Sequence, residues 1–243
     1  MKTYSRLPSA NASSQLTGPG SQPGRPGATE IVGRRENRGV TLDLDGLAMP
    51  GPTRRQLDFL VAAHRLTSVG RVNRLADGSR AESSAEHSWH LAVMALVLAA
   101  DHAAGLDLAR VLSMLVIHDL VEVEAGDVPI YDEQRRIDIA AAEQAAAVAL
   151  FGRLPAGQGS GLLELWEEFE DARTDDARFA RAVDRLQPLL MHCASDGAAW
   201  AERGITVAQE RRLMAAIEHF WPSLGPIADT LITDAHRRGL LAD

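Results

Sequence analysis

The stretch LARVLSMLVIHDLVEVEAGDVP, residues 108–129, decides how this chain is interpreted. Leucines repeat there at helical spacing, and the apolar face that they form continues onto Asp119 and Glu122, with His118 beside them. Burying an isolated carboxylate costs several kcal/mol unless something compensates, so this pattern suggests a metal cation held inside a helical domain. The leucines of the stripe are Leu108, Leu112 and Leu115.

The composition is that of a soluble protein with one sizeable core. The chain has 243 residues, of which 46% are hydrophobic, and no uninterrupted apolar run is long enough to span a bilayer. The most apolar segment, residues 91–100, therefore predicts a buried core helix and no membrane span. Cys193 is the only cysteine, which excludes an intramolecular disulfide and favours a cytoplasmic location.

Charge is divided unevenly along the chain. After residue 40 it has 19 basic and 31 acidic residues, which does not provide the basic surface that a nucleic-acid polymer needs. A small phosphorylated metabolite bound through a metal is easier to accommodate. Lys2 is the only lysine, so phosphate contacts in the folded part must come from arginine, a metal or backbone amides.

The pattern along the chain predicts an all-α fold. Residues 1–52 are rich in Ser, Gly, Pro and Arg and predict a disordered extension, whereas residues 53–243 predict a single globular domain. No stretch alternates with period two. Ser83 or Ser84 can cap the second helix, and Pro222 suits the first turn of the last one. The predicted helices are residues 53–66, 84–104, 107–123, 132–151, 160–172, 176–196, 206–220 and 222–238.

Two other helices offer further ligand residues. His87, in AESSAEHSWHLAVMA, shares a face with core positions, and Asp184, in RFARAVDRLQPLL, lies near the apolar side of its helix. Together with His118 and Asp119 they form a mixed nitrogen and oxygen set that suits Mn, Fe, Co, Ni or Zn better than calcium.

Two residues of these stretches have ordinary alternatives. His90, close to His87 in sequence, is interpreted as a satisfied core histidine. Asp119 can instead form a local salt bridge with an arginine such as Arg110, although its neighbours favour the metal interpretation.

Asp184 is the least certain member of the set from spacing alone. Its neighbours Arg181 and Arg185 offer ordinary surface ion pairs. Asp175 and Asp176 lie on the same predicted helix, and spacing does not choose among the three aspartates.

The ordered set of His87, His118 with Asp119, and Asp184 resembles the H…HD…D signature of the HD phosphohydrolase superfamily. The phrases AESSAEHSWHLAVMA, MLVIHDLVEVEAGD and FARAVDRLQPLL resemble those of its branch that contains 5′-deoxynucleotidases. The resemblance covers about residues 53–220. It implies an all-α HD fold, hydrolysis of a phosphate monoester, and one divalent cation (Mn, Co, Mg, Fe, Ni or Zn) on the four ligands.

The same resemblance implies roles for three further residues. Glu122 and Asp127 occupy positions that orient or activate water and contact the substrate near the leaving 5′ oxygen, although Asp127 is alternatively a turn residue after Gly126. A phosphate-orienting arginine is expected before the first ligand, and Arg71 is favoured. The relatives have a tryptophan directly after it, whereas this chain has Val72, which weakens the implied nucleotide preference. The candidate arginines are Arg71, Arg74 and Arg80.

The resulting expectation is a metal-dependent hydrolase of (deoxy)nucleoside 5′-monophosphates that acts as a homodimer. Physically, a divalent cation lowers the pKa of water, Glu122 holds or deprotonates that water, Asp127 protonates the leaving oxygen, and Arg71 neutralises the phosphate. The alternatives are a non-catalytic nucleotide-binding regulatory protein, which is expected to lose Glu122 or a ligand, and an HD-fold iron oxygenase, whose additional ligands for a second metal are not evident.

Overall fold

The computed structural model describes residues 47–128 and 131–243, apart from the side chains of residues 133 and 135–137. Most of residues 1–52, the predicted extension, and Pro129, the last residue of the stretch quoted above, lie outside these ranges. The described chain is a helical bundle, as predicted. Its helices are α1 Gly51–His64, α2 Ser84–His102, α3 Leu108–Ile117, α4 Glu122–Ala125, α5 Glu133–Phe151, α6 Ala156–Asp171, α7 Asp175–Ala194, α8 Ala198–Arg203, α9 Val207–Phe220 and α10 Gly225–Arg237.

Side-chain caps set where several helices begin. Ser83 and Glu86 form a capping box at α2, in which each side chain accepts a hydrogen bond from the backbone N–H of the other. Thr206 and Gln209 do the same at α9, and Thr174 caps α7. Of the two predicted caps of α2, Ser83 is therefore the one used.

Two short elements were not predicted. An antiparallel hairpin joins β1, Gly70–Arg74, to β2, Ala81–Ser83, and α8 has only six residues between two left-handed glycines. Strands of five and three residues are too short to show alternation. Such short segments carry too little periodicity to be recognised in sequence.

The predicted helix over residues 107–123 is interrupted. It consists of α3, a 3₁₀ turn over His118–Val121, and α4, which ends at Gly126 with φ 80°. The buried face of α3 contains Val111, Met114 and Leu115, whereas the predicted Leu108 and Leu112 are only half-buried. The tightened turn brings His118 and the next three residues inward together. The other 3₁₀ helices are Arg65–Ser68 and Pro222–Leu224.

Helix α7 occupies the centre of the bundle and packs against α2, α3, α6, α9 and α10. Phe179 and Leu189 on α7 are fully buried, as is Leu91 on α2. Any polar residue on the inner face of α7 is consequently removed from solvent.

The prediction that residues 91–100 form a buried core helix was wrong in part. Leu91, Met94 and Ala95 are buried, but the opposite side of α2 exposes an apolar face. A single helix on the outside of a bundle can bury only the stripe that faces its neighbours. No helix in the described ranges is both long enough and apolar enough to cross a membrane. We define the exposed face of α2 by its residues Trp89, Val93, Leu96 and Val97.

Candidate metal centre and active site

Three separate elements bring the predicted ligands together. His87 lies in the first turns of α2, and His118 and Asp119 lie in the 3₁₀ turn that follows α3. Asp184 lies in the middle of α7. The ligand atoms of His87, His118 and Asp119 all lie within 4.8 Å of one another, which is close enough for one ion.

Hydrogen bonds orient both imidazole rings. Nδ1 of His118 lies 3.0 Å from the carbonyl oxygen of Leu115, and Nδ1 of His87 lies 3.0 Å from Oε1 of Gln187. Carbonyl oxygens only accept, so in each neutral ring Nδ1 carries the hydrogen and Nε2 has a free lone pair. Nitrogens oriented in this way by a second partner are typical of metal-binding histidines.

The two Nε2 atoms face carboxylate oxygens. Nε2 of His118 lies 2.9 Å from Oδ1 of Asp119, and Nε2 of His87 lies 3.0 Å from Oδ1 of Asp184. Nε2 of His118 is buried and makes no hydrogen bond of acceptable geometry within the described part of the chain. Lone pairs that face each other at these distances repel unless a proton or a metal cation lies between them.

The electrostatics of this group favour a bound cation. Burial alone lowers the pKa of His118, but Asp119 and Asp184 outweigh it and raise that pKa well above its usual value. Burial alone raises the pKa of Asp119, but His118 and Arg71 outweigh it and lower that pKa to about 2. A proton that is held among the proposed ligands would be released when a metal ion binds.

Arg71, on β1, lies among several carboxylates. Its Nη1 is 2.9 Å from Oδ2 of Asp119, 3.6 Å from Oδ1 of Asp127 and 3.9 Å from Oε1 of Glu122. Its Nε is 3.5 Å from Oε1 of Glu82. Ionisation of all these carboxyl groups would leave more negative charge than one guanidinium balances. A divalent cation held by the two oriented nitrogens fits such an excess.

Glu122 and Asp127 lie beside the ligands and are shielded from solvent. Oε2 of Glu122 accepts a hydrogen bond of 2.6 Å from the hydroxyl of Ser84. Burial, reinforced by Asp119, raises the pKa of Glu122 to about 9 against the opposing effect of Arg71. Burial also raises the pKa of Asp127. Carboxyl groups in these environments can exchange protons near neutral pH.

The local alternative for Asp119 is wrong. Arg110 forms its ion pair with Glu168, with Nε 3.2 Å from Oε1, and Asp119 pairs with Arg71.

The two other aspartates that spacing allowed in place of Asp184 have partners of their own. Asp175 pairs with Arg178, Asp176 accepts from the backbone N–H of Asp107, and neither belongs to the cluster.

Of the three candidate arginines, the structure brings only Arg71 into contact with the cluster. Arg74 lies 2.6 Å from Glu202, and Arg80 lies 2.8 Å from Glu86. Both therefore neutralise acidic side chains on helices next to the hairpin, Glu202 on α8 and Glu86 on α2.

Sequence reasoning missed Glu82 and Gln187. Gln187 is fully buried, accepts from Nδ1 of His87, and donates to Oε2 of Glu82 at 3.1 Å. It lies one turn after Asp184 on α7, and that spacing was the only available signal. His90, predicted as a core histidine, is only half-buried and lies 3.3 Å from Nε2 of Gln187, outside the ligand group.

A cavity of about 260 Å³ opens over this group. Arg71 and Asp127 line its polar side, and Val72, Tyr131 and Pro188 contribute to the remaining wall. The cavity can therefore hold a small molecule with one anionic end and a larger organic part.

Residues 63–222 match the HD domain family. Bovine 5′-deoxynucleotidase HDDC2 is 30% identical over 138 residues. The match covers 56% of this chain and 66% of that protein, which is just under two thirds of its length. The 5′-deoxynucleotidase hdd1 of Schizosaccharomyces pombe is 25% identical over 134 residues, covering 53% of this chain and 66% of that protein. A crystal structure from Magnetospirillum magnetotacticum MS-1, described as a predicted metal-dependent phosphohydrolase, is 42% identical with a TM-score of 0.74, covering 79% of this chain and 96% of that chain. The chain therefore belongs to the HD domain family.

Proposed function

We propose that this protein is a metal-dependent phosphomonoesterase. The observation that carries the proposal is the pair of histidine Nε2 atoms that face Asp119 and Asp184 next to a cavity. His87, His118, Asp119 and Asp184 would hold one divalent cation. The names of the bovine, yeast and Magnetospirillum relatives support the same class of reaction.

The surrounding side chains suit hydrolysis of a phosphate ester. A divalent cation supplies an acidified water and withdraws charge from the phosphoryl oxygens. A cation bound beside Glu122 would favour its carboxylate form, which would accept a proton from the attacking water, and Asp127, whose pKa burial raises, would donate one to the leaving oxygen. Arg71 exchanges its contacts with carboxylates for a bidentate contact with the phosphate.

The substrates that we propose are nucleoside 5′-monophosphates, with a preference for the deoxy sugar. The end of the cavity with Arg71 and the proposed metal ligands fits a phosphate, and the wall containing Val72 and Tyr131 fits a sugar or base. Valine after Arg71 provides no aromatic ring for stacking, so discrimination between deoxyribose and ribose is expected to be weak.

A phosphate-release assay tests this proposal. We expect kcat/KM for dAMP and dCMP to exceed that for AMP, and kcat/KM for a simple aryl phosphate to be lower still, with Mn, Co or Mg added. Similar values for all four, or activity on a phosphate diester alone, would reject the nucleotidase proposal and leave the metal site as a separate question.

The roles of Glu122 and Asp119 can be separated by substitution. Glu122→Gln should retain the metal while turnover falls by roughly 10² to 10⁴, the usual effect of losing a general base. Asp119→Ala should lose metal and turnover together. A non-catalytic binding protein would bind dAMP equally well with and without Glu122 and release no phosphate. An iron oxygenase would consume oxygen without phosphate release.

We also propose that the protein is a cytoplasmic homodimer. The exposed face of α2 presents Trp89 with 66% and Val97 with 66% of their surface accessible, which is unusual for a monomer. Light scattering of wild type and of Val97→Glu tests this: the wild type should have twice the mass of one chain and the variant the mass of one. A monomeric wild type would reject the proposal.

A further inference from the structure

Tyr131 connects the proposed substrate cavity with a buried polar cluster behind the cavity wall. Its side chain is part of the cavity wall, and its hydroxyl accepts a hydrogen bond of 3.1 Å from Nε1 of Trp200. The same hydroxyl donates to Oε2 of Glu210 at 2.9 Å. Tyr131 is thus part of the cavity wall while its hydroxyl group is held by two buried side chains.

Glu210 is an unusual residue for a fully buried position in the first turn of α9. It has no exposed surface, and its Oε1 has no hydrogen-bond partner within the described ranges. Burial raises its pKa to about 7. A carboxyl group in this state destabilises the fold, and an apolar side chain of similar volume would pack there at lower cost. The packing of α9 alone does not account for Glu210.

The cluster joins elements that contribute no proposed ligand. Trp200 lies on α8, and Glu210 lies in the first turn of α9. Tyr131 comes two residues before α5 and four residues after Asp127 in the chain. A shift of the Tyr131 ring therefore changes the wall of the cavity.

We propose that Glu210 is a positioning residue that fixes the Tyr131 ring as the wall against which the organic group of the substrate packs. This inference rests on the proposed phosphomonoesterase function. Glu210 acts through Tyr131 and touches neither the phosphate nor the ligands. Its contribution is to the affinity for the substrate, because an anchored ring is already in the bound orientation before the substrate arrives.

Steady-state kinetics of Glu210→Ala, Glu210→Gln and Tyr131→Phe test the proposal, with dAMP and 4-nitrophenyl phosphate as substrates. We expect Glu210→Ala and Tyr131→Phe each to raise KM about tenfold, the effect of losing one charge-assisted hydrogen bond, with kcat within about threefold of wild type. In Glu210→Gln the amide oxygen still accepts from the tyrosine hydroxyl, so KM should stay within about threefold. The double variant should be no worse than either single one.

A purely structural role predicts a different pattern. Loss of folded protein lowers the apparent kcat and leaves KM unchanged, so unchanged KM in Glu210→Ala and Tyr131→Phe overturns the inference. Glu218→Ala, an exposed site on the same helix, is the matched control and should not change KM. If Glu210→Ala does not fold, Tyr131→Phe decides.

The two substrates separate this inference from the proposed function. Activity on the aryl phosphate without activity on dAMP rejects the nucleotide assignment but still yields the KM ratios. Absence of activity on both rejects the phosphomonoesterase and this inference together.

Discussion

Gln187 offers the sharpest test of how the ligand group is supported. It is fully buried between His87 and Glu82, accepting from one and donating to the other. Gln187→Leu removes these hydrogen bonds and the contact with His90 while keeping a side chain of similar size. The N–H of His87 then loses this partner, whereas the carboxylate of Glu82 keeps Arg71 and Asn73.

The expected loss of stability follows from the changes at His87 and Glu82. An unpartnered buried N–H costs about 1–3 kcal/mol and a lost hydrogen bond to a charged group costs about 1.5–3 kcal/mol, so the free energy of unfolding should fall by about 2–5 kcal/mol. Loss of the bond that orients His87 should also weaken metal binding by roughly 10- to 100-fold.

Urea unfolding of the metal-free protein and a metal titration measure the two effects separately. Gln144→Leu is the matched control, because Gln144 makes its hydrogen bond to Glu167 on the surface. That variant should change stability by no more than about 0.5 kcal/mol. A loss below about 1 kcal/mol in Gln187→Leu, with unchanged metal affinity, would refute the reasoning.

Two further predictions concern stability. Gly159→Ala should destabilise the protein by about 1–3 kcal/mol, because a Cβ there would lie 2.4 Å from the carbonyl oxygen of Phe151. Gly161→Ala, where a Cβ would have nothing within 4 Å, should stabilise the protein by roughly 0.5–1 kcal/mol. Thermal unfolding measures both changes. Burial lowers the pKa of His192 from 6.5 to about 4. The stability that its neutral side chain contributes is therefore fully present above pH 6.5 and is lost as pH falls towards 4. Between pH 7 and pH 4.5, His192→Leu should lose roughly 2–3 kcal/mol less stability than wild type in urea unfolding, and equal losses would contradict this.

Helical periodicity was sufficient to predict the all-α fold because most of the described helices are long, and α2, α3, α7 and α9 also begin with a side-chain cap. The ligand candidates were recognisable because His118 and Asp119 interrupt an apolar face, which is costly without a partner. The 3₁₀ turn that carries them was not predictable, because α and 3₁₀ geometry share nearly the same periodicity over four residues.

The support around the site was harder to predict. Glu82 and Gln187 are separated by 105 residues in sequence and meet only in the folded chain. Tyr131 and Glu210 are 79 residues apart, and neither belongs to a recognisable motif. Contacts of this kind depend on how the helices pack, which local patterns do not encode.

The central claim is that the four predicted ligands hold one divalent cation on which phosphate release depends. The most direct measurement is metal content by mass spectrometry together with phosphate release from dAMP, for wild type, chelator-treated wild type and Asp119→Ala. The account predicts one ion per wild-type chain, loss of turnover on chelation, recovery on adding Mn, Co or Mg, and neither ion nor turnover in Asp119→Ala. Full turnover by the chelated protein, or an Asp119→Ala variant that keeps both ion and turnover, would contradict it.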